Sequence, residues 1–309
     1  MSSGARPKSN GARADVTEAV RADIPPWRYA ALAVLFSLLW ASAFIAVKVA
    51  LLDSPPLFMM ASRFLVAGGL LLVLARLRRA RFPRDAAGWG RLILLGVLNY
   101  AIYLGLTAVA LRHLSAGMGA VLASTNPLML ALVAPWFLGE RLTLAKVAGL
   151  LLSFGGVLWV MASRLGDDNR PDAMAIVLVA MACLVAGTIV FKRCRLDHDL
   201  LVINGTQLLA AGLALAGPSV LLEPLAAIRL TPTFLAAQTY LIVAVSWVGM
   251  LIWFWLLSHG DATRASAYFF LNPILGLFLG ALFLGEALRF PDFAGSGAVA
   301  VGIYIVQRA

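Results

Sequence analysis

Charged residues are scarce in this chain. Asp, Glu, Lys and Arg make up 13% of its 309 residues, whereas hydrophobic residues make up 61%. Soluble domains carry about 25% charged residues, so this composition leaves too little polar surface to face water. The deficit excludes an ordinary soluble protein and predicts that most of the chain lies in a lipid bilayer.

Cysteine is rare, and several familiar site motifs are missing. Cys183 and Cys194 are eleven residues apart along one apolar segment. That spacing is about 16 Å in a helix, too far for a disulfide. The sequence contains no CxxC pair or Cys/His metal spacing, so we expect no metal and no cofactor. It also lacks GxSxG, HExxH and Walker A motifs, which argues against a membrane-embedded enzyme and against direct use of ATP.

Ten apolar segments are candidates for membrane-spanning helices. Residues 1–26 precede them as a Ser-, Ala-, Gly- and Arg-rich tail, which we predict to be disordered and cytoplasmic. Ala41-Ser42-Ala43 resembles a signal-peptidase site, but the apolar segment around it is too long for a signal peptide. The predicted spans are 29–51, 56–76, 91–111, 115–138, 144–163, 173–192, 200–221, 234–257, 264–284 and 292–307.

The basic residues predict the topology. They outnumber acidic residues by 25 to 15, but they lie in short linkers between the spans, so nucleic-acid binding is not expected. If the N-terminus is cytoplasmic, the cytoplasmic segments hold 18 Lys and Arg residues and the other side holds five. Positive residues collect in cytoplasmic loops. The bias predicts a multi-pass protein of the cell (inner) membrane with both termini in the cytoplasm.

The two halves of the chain repeat one another. Asn126-Pro127 is followed by Phe137-Leu138-Gly139-Glu140, and the pattern recurs 146 residues later as Asn272-Pro273 and Phe283-Leu284-Gly285-Glu286. Aligned at that offset without gaps, 13 of 48 positions are identical. The matches include Asn, Pro and Glu, which are uncommon in apolar spans.

Each repeated unit holds an odd number of spans. The first unit covers residues 29–163 and the second covers residues 173–307, with five spans in each. Two such units in tandem must cross the membrane in opposite senses, which is the inverted-repeat plan of many secondary transporters. We therefore predict an all-α polytopic membrane fold of ten helices, arranged as two inverted five-helix repeats.

The duplicated motif resembles the EamA family of the drug/metabolite transporter superfamily. Trp40-Ala41-Ser42-Ala43-Phe44 is similar to the Trp-Gly-Ser-like start of that family, and Pro56 followed by Arg63 is also similar. The resemblance covers residues 29–307. It implies a secondary transporter that exports amino acids or other small metabolites or drugs by alternating access. The alternative is a membrane-embedded sensor or assembly protein without transport activity.

Polar and aromatic residues inside the spans are the candidates for binding a small-molecule substrate. Arg63 lies seven residues inside the second span. A charge at that depth faces a cavity or a partner, so Arg63 is either a cation for an anionic substrate or a structural arginine. We expect Arg63, Lys48 and Trp40 to have no equally placed partners in the second unit. Lys192 is the possible repeat counterpart of Lys48, but its place at a cytoplasmic helix end favours a topology anchor. The candidate set is Trp40, Ser42, Lys48, Arg63, Asn99, Tyr103, Asn126, Trp247, Tyr268 and Asn272.

The repeated motif is interpreted as structural. Proline removes a helical hydrogen-bond donor, so the Asn-Pro pairs predict helix irregularities at equivalent points of the two units. Glu140 and Glu286 each end a span, which favours hydrogen bonding at helix ends over substrate binding. Gly276 and Gly280 predict close helix packing. The structural set is Pro127, Gly139, Glu140, Pro273, Gly285 and Glu286.

Overall fold

The computed structural model describes residues 25–114, 116–162, 170–194, 198–284, 288 and 290–309. Every regular element within these ranges is helical. Nearly all of the predicted tail lies outside the described residues, and so do Gly285 and Glu286 of the second motif.

The helices are named in chain order. The first unit contains α1 (Pro26–Ala50), α2 (Pro56–Leu77), α3 (Ala86–Ala110), α4 (Ala116–Ala123), α5 (Asn126–Leu138) and α6 (Leu144–Ala162). The second unit contains α7 (Pro171–Cys194), α8 (Leu200–Leu222), α9 (Pro232–His259), α10 (Ala262–Ala267), α11 (Leu271–Leu284) and α12 (Phe290–Arg308). Proline begins α1, α2, α7 and α9, where its missing N–H costs no helical hydrogen bond.

Seven stretches of helix are long and apolar enough to cross a membrane. They are α1, α2, α3, α7, α8, α9 and the stretch Val121–Leu138. These seven correspond to predicted spans one to four and six to eight. The fifth predicted span contains the shorter apolar stretch Leu144–Val160. The count of ten spans therefore stays a prediction, although an all-helical protein with multiple spans is confirmed.

Equivalent helices of the two units pack against each other in opposite directions. A Cβ on Gly68 of α2 would lie 2.5 Å from the Leu209 amide nitrogen, and one on Gly212 of α8 would lie 2.8 Å from that of Leu65. Gly68 and Gly212 are 144 residues apart, as are Leu65 and Leu209. Because residue 65 meets 212 while 68 meets 209, the helices are antiparallel. The two units are therefore inverted relative to each other.

The same crossing recurs between α6 and α12. A Cβ on Gly149 would lie 2.7 Å from the Gly302 carbonyl oxygen, and one on Gly156 would lie 2.8 Å from that of Gly295. These glycines form two matched pairs at the 146-residue offset. Without side chains, they let the two backbones approach closely. At Gly276, no atom of the described residues lies within 4 Å of an added Cβ, so they show no close packing there, and Gly280 falls outside the described surroundings.

We expect Gly302→Ala to lower the melting temperature by a few degrees. The new Cβ would lie 2.5 Å from the Gly149 carbonyl oxygen and 2.8 Å from the Ser153 nitrogen. Overpacking of this kind costs about 1–3 kcal/mol. Gly297→Ala in the same helix is the control, because no atom of the described residues lies within 4 Å of its added Cβ. Thermal unfolding in one detergent compares them, and equal melting temperatures would contradict the packing argument.

Helix irregularities also occur at equivalent points of the two units. The chain turns at Ser124 and Thr125 before α5, and the 3₁₀ turn Tyr268–Phe270 precedes α11. The Asn-Pro motifs predicted this pair. A second pair was not predicted: α3 contains the π-helical segment Val97–Ile102, and α9 contains the π-helical segment Leu241–Gly249. Such segments are frequent at functional sites, which directs attention to the space between them.

Candidate functional site

A narrow cavity of about 30 Å³ lies between α1, α2, α3 and the π segment of α9. We call the end of the bundle where α1 begins and α2 ends the basic end, because the Arg-rich linker follows α2 there. The other end is called the opposite end. The cavity runs from Trp40 and Arg63 in the interior towards Val47 and Leu111 near the opposite end.

Arg63 is the charged residue of the cavity wall. It is 2% exposed, and its Nε donates a hydrogen bond to Ser246 Oγ at 2.9 Å. Nη1 lies 3.9 Å from the weak acceptor Met60 Sδ, and the guanidinium lies 5.4 Å from the centre of the Phe64 ring. None of the described carboxylates lies within ion-pair distance of Arg63. A buried cation without a counter-ion is costly, and such charges in membrane spans mark substrate pathways.

A series of hydrogen bonds next to Arg63 positions Ser246. Tyr100 Oη donates to Asn204 Oδ1 at 2.5 Å, and Asn204 Nδ2 donates to the Ser246 carbonyl at 2.7 Å. Tyr100 and Ser246 lie on the two π segments, and Asn204 lies on α8. All three are buried, and none lines the cavity. The series therefore ties both π segments and α8 to the arginine from outside the cavity.

The second unit contains an uncharged version of this contact. Gln207 follows Arg63 by 144 residues, and its Oε1 accepts a hydrogen bond from Asn99 Nδ2 at 3.2 Å. In each unit the second helix thus bonds to the π segment of the other unit. Gln207 Nε2 and Asn99 Oδ1 are buried without a hydrogen-bond partner among the described residues. The second unit has glutamine where the first unit has arginine. Of these two equivalent contacts, the one made by the first unit is therefore the charged one.

Aromatic rings form the wall beside Arg63. Trp40 Nε1 donates to Tyr103 Oη at 3.3 Å, and the two ring planes are within 15° of parallel. Phe44 follows Trp40 by one helical turn on α1, and Thr107 follows Tyr103 by one turn on α3. Thr107 and Phe44 were not among the candidates predicted from the sequence. Each follows a predicted candidate by four residues and therefore lies on the same face of its helix.

Lys48 does have an equally placed partner, contrary to the expectation from the sequence. Lys48 Nζ donates to the Leu111 carbonyl just after α3. Lys192 Nζ donates to the Leu257 and Gly260 carbonyls at the end of α9, at 2.9 and 2.7 Å. Leu111 and Leu257 are themselves a matched pair, 146 residues apart. Both lysines therefore bind helix C-termini, where unpaired carbonyls attract cations, and they do so at opposite ends of the bundle.

Several other candidates lie outside the cavity. Ser42 Oγ and Tyr240 Oη share a hydrogen bond of 2.5 Å between α1 and α9. Trp247 Nε1 donates to the Ala67 carbonyl at 3.1 Å. The Tyr268 carbonyl accepts from Ser37 Oγ at 3.0 Å. Trp247 and Tyr268 therefore join helices of different units, as Ser42 does.

Asn126 and Asn272 are buried beside the helix interruptions. Asn272 is 0% exposed, and neither its Nδ2 nor its Oδ1 has a hydrogen-bond partner in the part of the chain that the structure describes. Asn126 is 2% exposed, and its Nδ2 also has no hydrogen-bond partner within the described ranges. Neither residue lines the cavity. Of the ten candidates, the structure brings Trp40, Arg63 and Tyr103 together at one cavity.

Two carboxylates join the units, one at each end of the bundle. Glu140 accepts hydrogen bonds from the amides of Ala262 and Thr263, at 2.7 and 3.1 Å, in the first turn of α10. Glu223 accepts from the amides of Leu57 and Phe58, at 2.7 and 2.8 Å, in the first turn of α2. Helix N-termini favour negative charge, so each carboxylate caps a helix of the other unit. Glu140 thus occupies a helix-end position rather than the cavity.

Comparison with known proteins gives a family for both units. Residues 27–162 and 173–308 each match the model of the EamA-like transporter family. The uncharacterized transporter YvbV of Bacillus subtilis is 28% identical over 284 residues, covering 92% of this chain and 93% of its own. The uncharacterized inner membrane transporter YedA of Escherichia coli K12 is 26% identical over 282 residues, covering 88% and 89%.

The fold is also known from experiment. A solved crystal structure that is 17% identical in sequence superposes with a TM-score of 0.77, covering 91% of this chain and 98% of its own. At that identity the match shows the shared fold alone. Because the family model covers both units, this membrane protein belongs to the EamA-like transporter family of the drug/metabolite transporter superfamily.

Proposed function

We propose that this protein exports small organic molecules across the cell membrane by alternating access. The observation that carries the proposal is Arg63, a buried cation without an anionic partner among the described residues, in the wall of a cavity at the contact between two inverted units. Membership of a transporter family favours transport over catalysis. The export direction follows the resemblance to exporters of amino acids and other metabolites.

The cross-unit contacts support the alternating-access mechanism. Inverted units can exchange conformations, which closes one end as the other opens. The cavity approaches the opposite end, while at the basic end Glu140 and the hydrogen bond from Tyr29 Oη to the Leu256 carbonyl join the units. We propose that the exchange breaks these bonds at the basic end, while the bonds from the Leu57 and Phe58 amides to Glu223, which are already formed, hold the opposite end. The proposed pivots are the two π segments, which contain Tyr100 and Ser246 of the hydrogen-bond series beside Arg63.

We further propose that the basic end faces the cytoplasm, because most Lys and Arg residues lie there. Leu142 follows α5 at that end and is 38% exposed. A cysteine at this position, in a protein lacking Cys183 and Cys194, should react with a membrane-impermeant maleimide in inverted vesicles. Reaction in intact cells instead would reverse the topology.

Transport by the purified protein is the decisive test. The full chain is reconstituted into liposomes loaded with a mixed panel of organic acids, amino acids, amines, sugars and nucleosides. We expect at least one class to leave the vesicles faster than from protein-free liposomes. If the folded protein moves no member of the panel, the transport proposal fails and the sensor or assembly alternative gains support.

A further inference from the structure

We infer that the substrate is an organic monoanion, a carboxylate attached to an apolar or aromatic body, and that zwitterionic amino acids are excluded. This inference rests on the proposed transport function. It narrows the solute class that the family resemblance suggested, using the charges and hydrogen-bond donors that face the cavity.

The cavity presents donors that lack acceptors. A guanidinium has five N–H groups. In Arg63, one of them binds Ser246 Oγ and one faces the weak acceptor Met60 Sδ. Tyr103 Oη accepts from Trp40, but its own O–H has no acceptor among the described residues. Arginine and hydroxyl donors in one wall match the two oxygens of a carboxylate, because arginine binds carboxylates in a planar, bidentate geometry.

The described residues of the cavity wall include no anion that could pair with an ammonium group. No Asp or Glu is among the residues that line it, and the charge that it does contain is positive. An amino acid bound through its carboxylate would hold its ammonium a few ångströms from Arg63, without an anion to offset the repulsion. In a low-dielectric site such like-charge proximity is strongly unfavourable. The wall therefore discriminates against zwitterions and cations.

The rest of the wall suits an apolar body. Trp40 and Phe44 line one side, and Met60 and Val245 contribute further apolar surface. Thr107 Oγ1 is already bound to the Tyr103 carbonyl at 2.7 Å. A sugar or polyol would leave hydroxyl groups without partners against these side chains, which is costly. An acyl or arylalkyl chain would not.

A charge series of one molecular shape tests the inference. Binding to the purified full chain is measured by calorimetry for 3-phenylpropionate, 3-phenylpropanamide, L-phenylalanine and 3-phenylpropylamine. We expect the carboxylate to bind at least tenfold more tightly than the neutral amide, with the amino acid and the amine weaker still. Binding of L-phenylalanine as tight as that of 3-phenylpropionate would overturn the inference.

Arg63→Gln adds a second readout, because glutamine is the residue at the equivalent position of the second unit. We expect the variant to lose at least tenfold in affinity for 3-phenylpropionate while affinity for the amide is unchanged. Arg91→Gln, at an exposed arginine of α3, is the control that should bind like the wild type. An unchanged affinity in Arg63→Gln would overturn the inference, and so would failure of all four compounds to bind the wild-type protein. The liposome panel separates the two ideas, since movement of another solute class would preserve the transport proposal alone.

Discussion

Replacement of Arg63 by leucine is expected to reduce transport at least tenfold without lowering the melting temperature. The guanidinium is 2% exposed and has one oxygen acceptor among the described residues. A charged hydrogen bond to a substrate contributes about 1.5–3 kcal/mol, which corresponds to a loss of rate or affinity of about 10- to 150-fold. Replacement of buried charged groups by apolar residues of similar volume is often neutral or stabilising. Loss of activity together with retained stability is the result that distinguishes a binding residue from a structural one.

Two measurements decide this prediction. Initial transport rates in liposomes are compared with melting temperatures in detergent for the wild type, Arg63→Leu and Arg63→Lys. The lysine variant keeps the charge but loses the planar donors, so an intermediate rate is expected. Gln207→Leu is the matched variant in the second unit. A fall of several degrees in the melting temperature of Arg63→Leu would show instead that the arginine supports the fold.

Replacement of Glu140 by alanine is expected to loosen the basic end of the bundle. The substitution removes the acceptors of two hydrogen bonds from backbone amides at the start of α10. Loss of a helix cap costs about 0.5–2 kcal/mol. Because these hydrogen bonds join the two units, we expect the units to separate more often at the basic end once the bonds are removed. A cysteine in place of Thr263, which is 2% exposed, should then react several-fold faster with a maleimide than in the parent protein.

Glu223→Ala is the counterpart at the opposite end. It removes the acceptor of the amides of Leu57 and Phe58, so a cysteine in place of the buried Met59 should become more reactive. We expect each alanine variant to raise labelling at its own end and not at the other. Glu140→Gln keeps one amide acceptor and should be intermediate. Equal labelling of Thr263→Cys with and without Glu140 would show that the carboxylate does not hold that end closed.

The architecture was predictable to a large extent, because its signals are contained in local composition. Membrane burial follows from the scarcity of charge. The inverted arrangement was predicted from five expected spans per repeat, and the antiparallel contact between α2 and α8 supports it. The matched glycines illustrate how far sequence comparison reaches. Gly149 and Gly156 recur as Gly295 and Gly302. The structure supplies the reason, since the four glycines form one antiparallel crossing in which backbone meets backbone.

The expected asymmetry of charge was right for one residue and wrong for another. Arg63 has glutamine at the equivalent place, but Lys48 is matched by Lys192. Lys192 stands beside Arg193 at a charged helix end, so the sequence alone made it look like a topology marker. Its partner carbonyls lie 65 and 68 residues further along the chain. A contact of that range leaves no local signal.

By itself, the sequence determined that this chain lies in a membrane, that it is duplicated and which polar residues lie inside its spans. Those conclusions depend on composition and on spacing along the chain. Neither of these depends on which residues are neighbours in space. Only the tertiary structure decided which polar residues meet. Trp40, Arg63 and Tyr103 share a cavity because of the rotation of three helices about their axes. The π segments shift that rotation, and no sequence motif predicts them. Packing between helices determines the rotation, so the composition of the site is a property of the folded bundle.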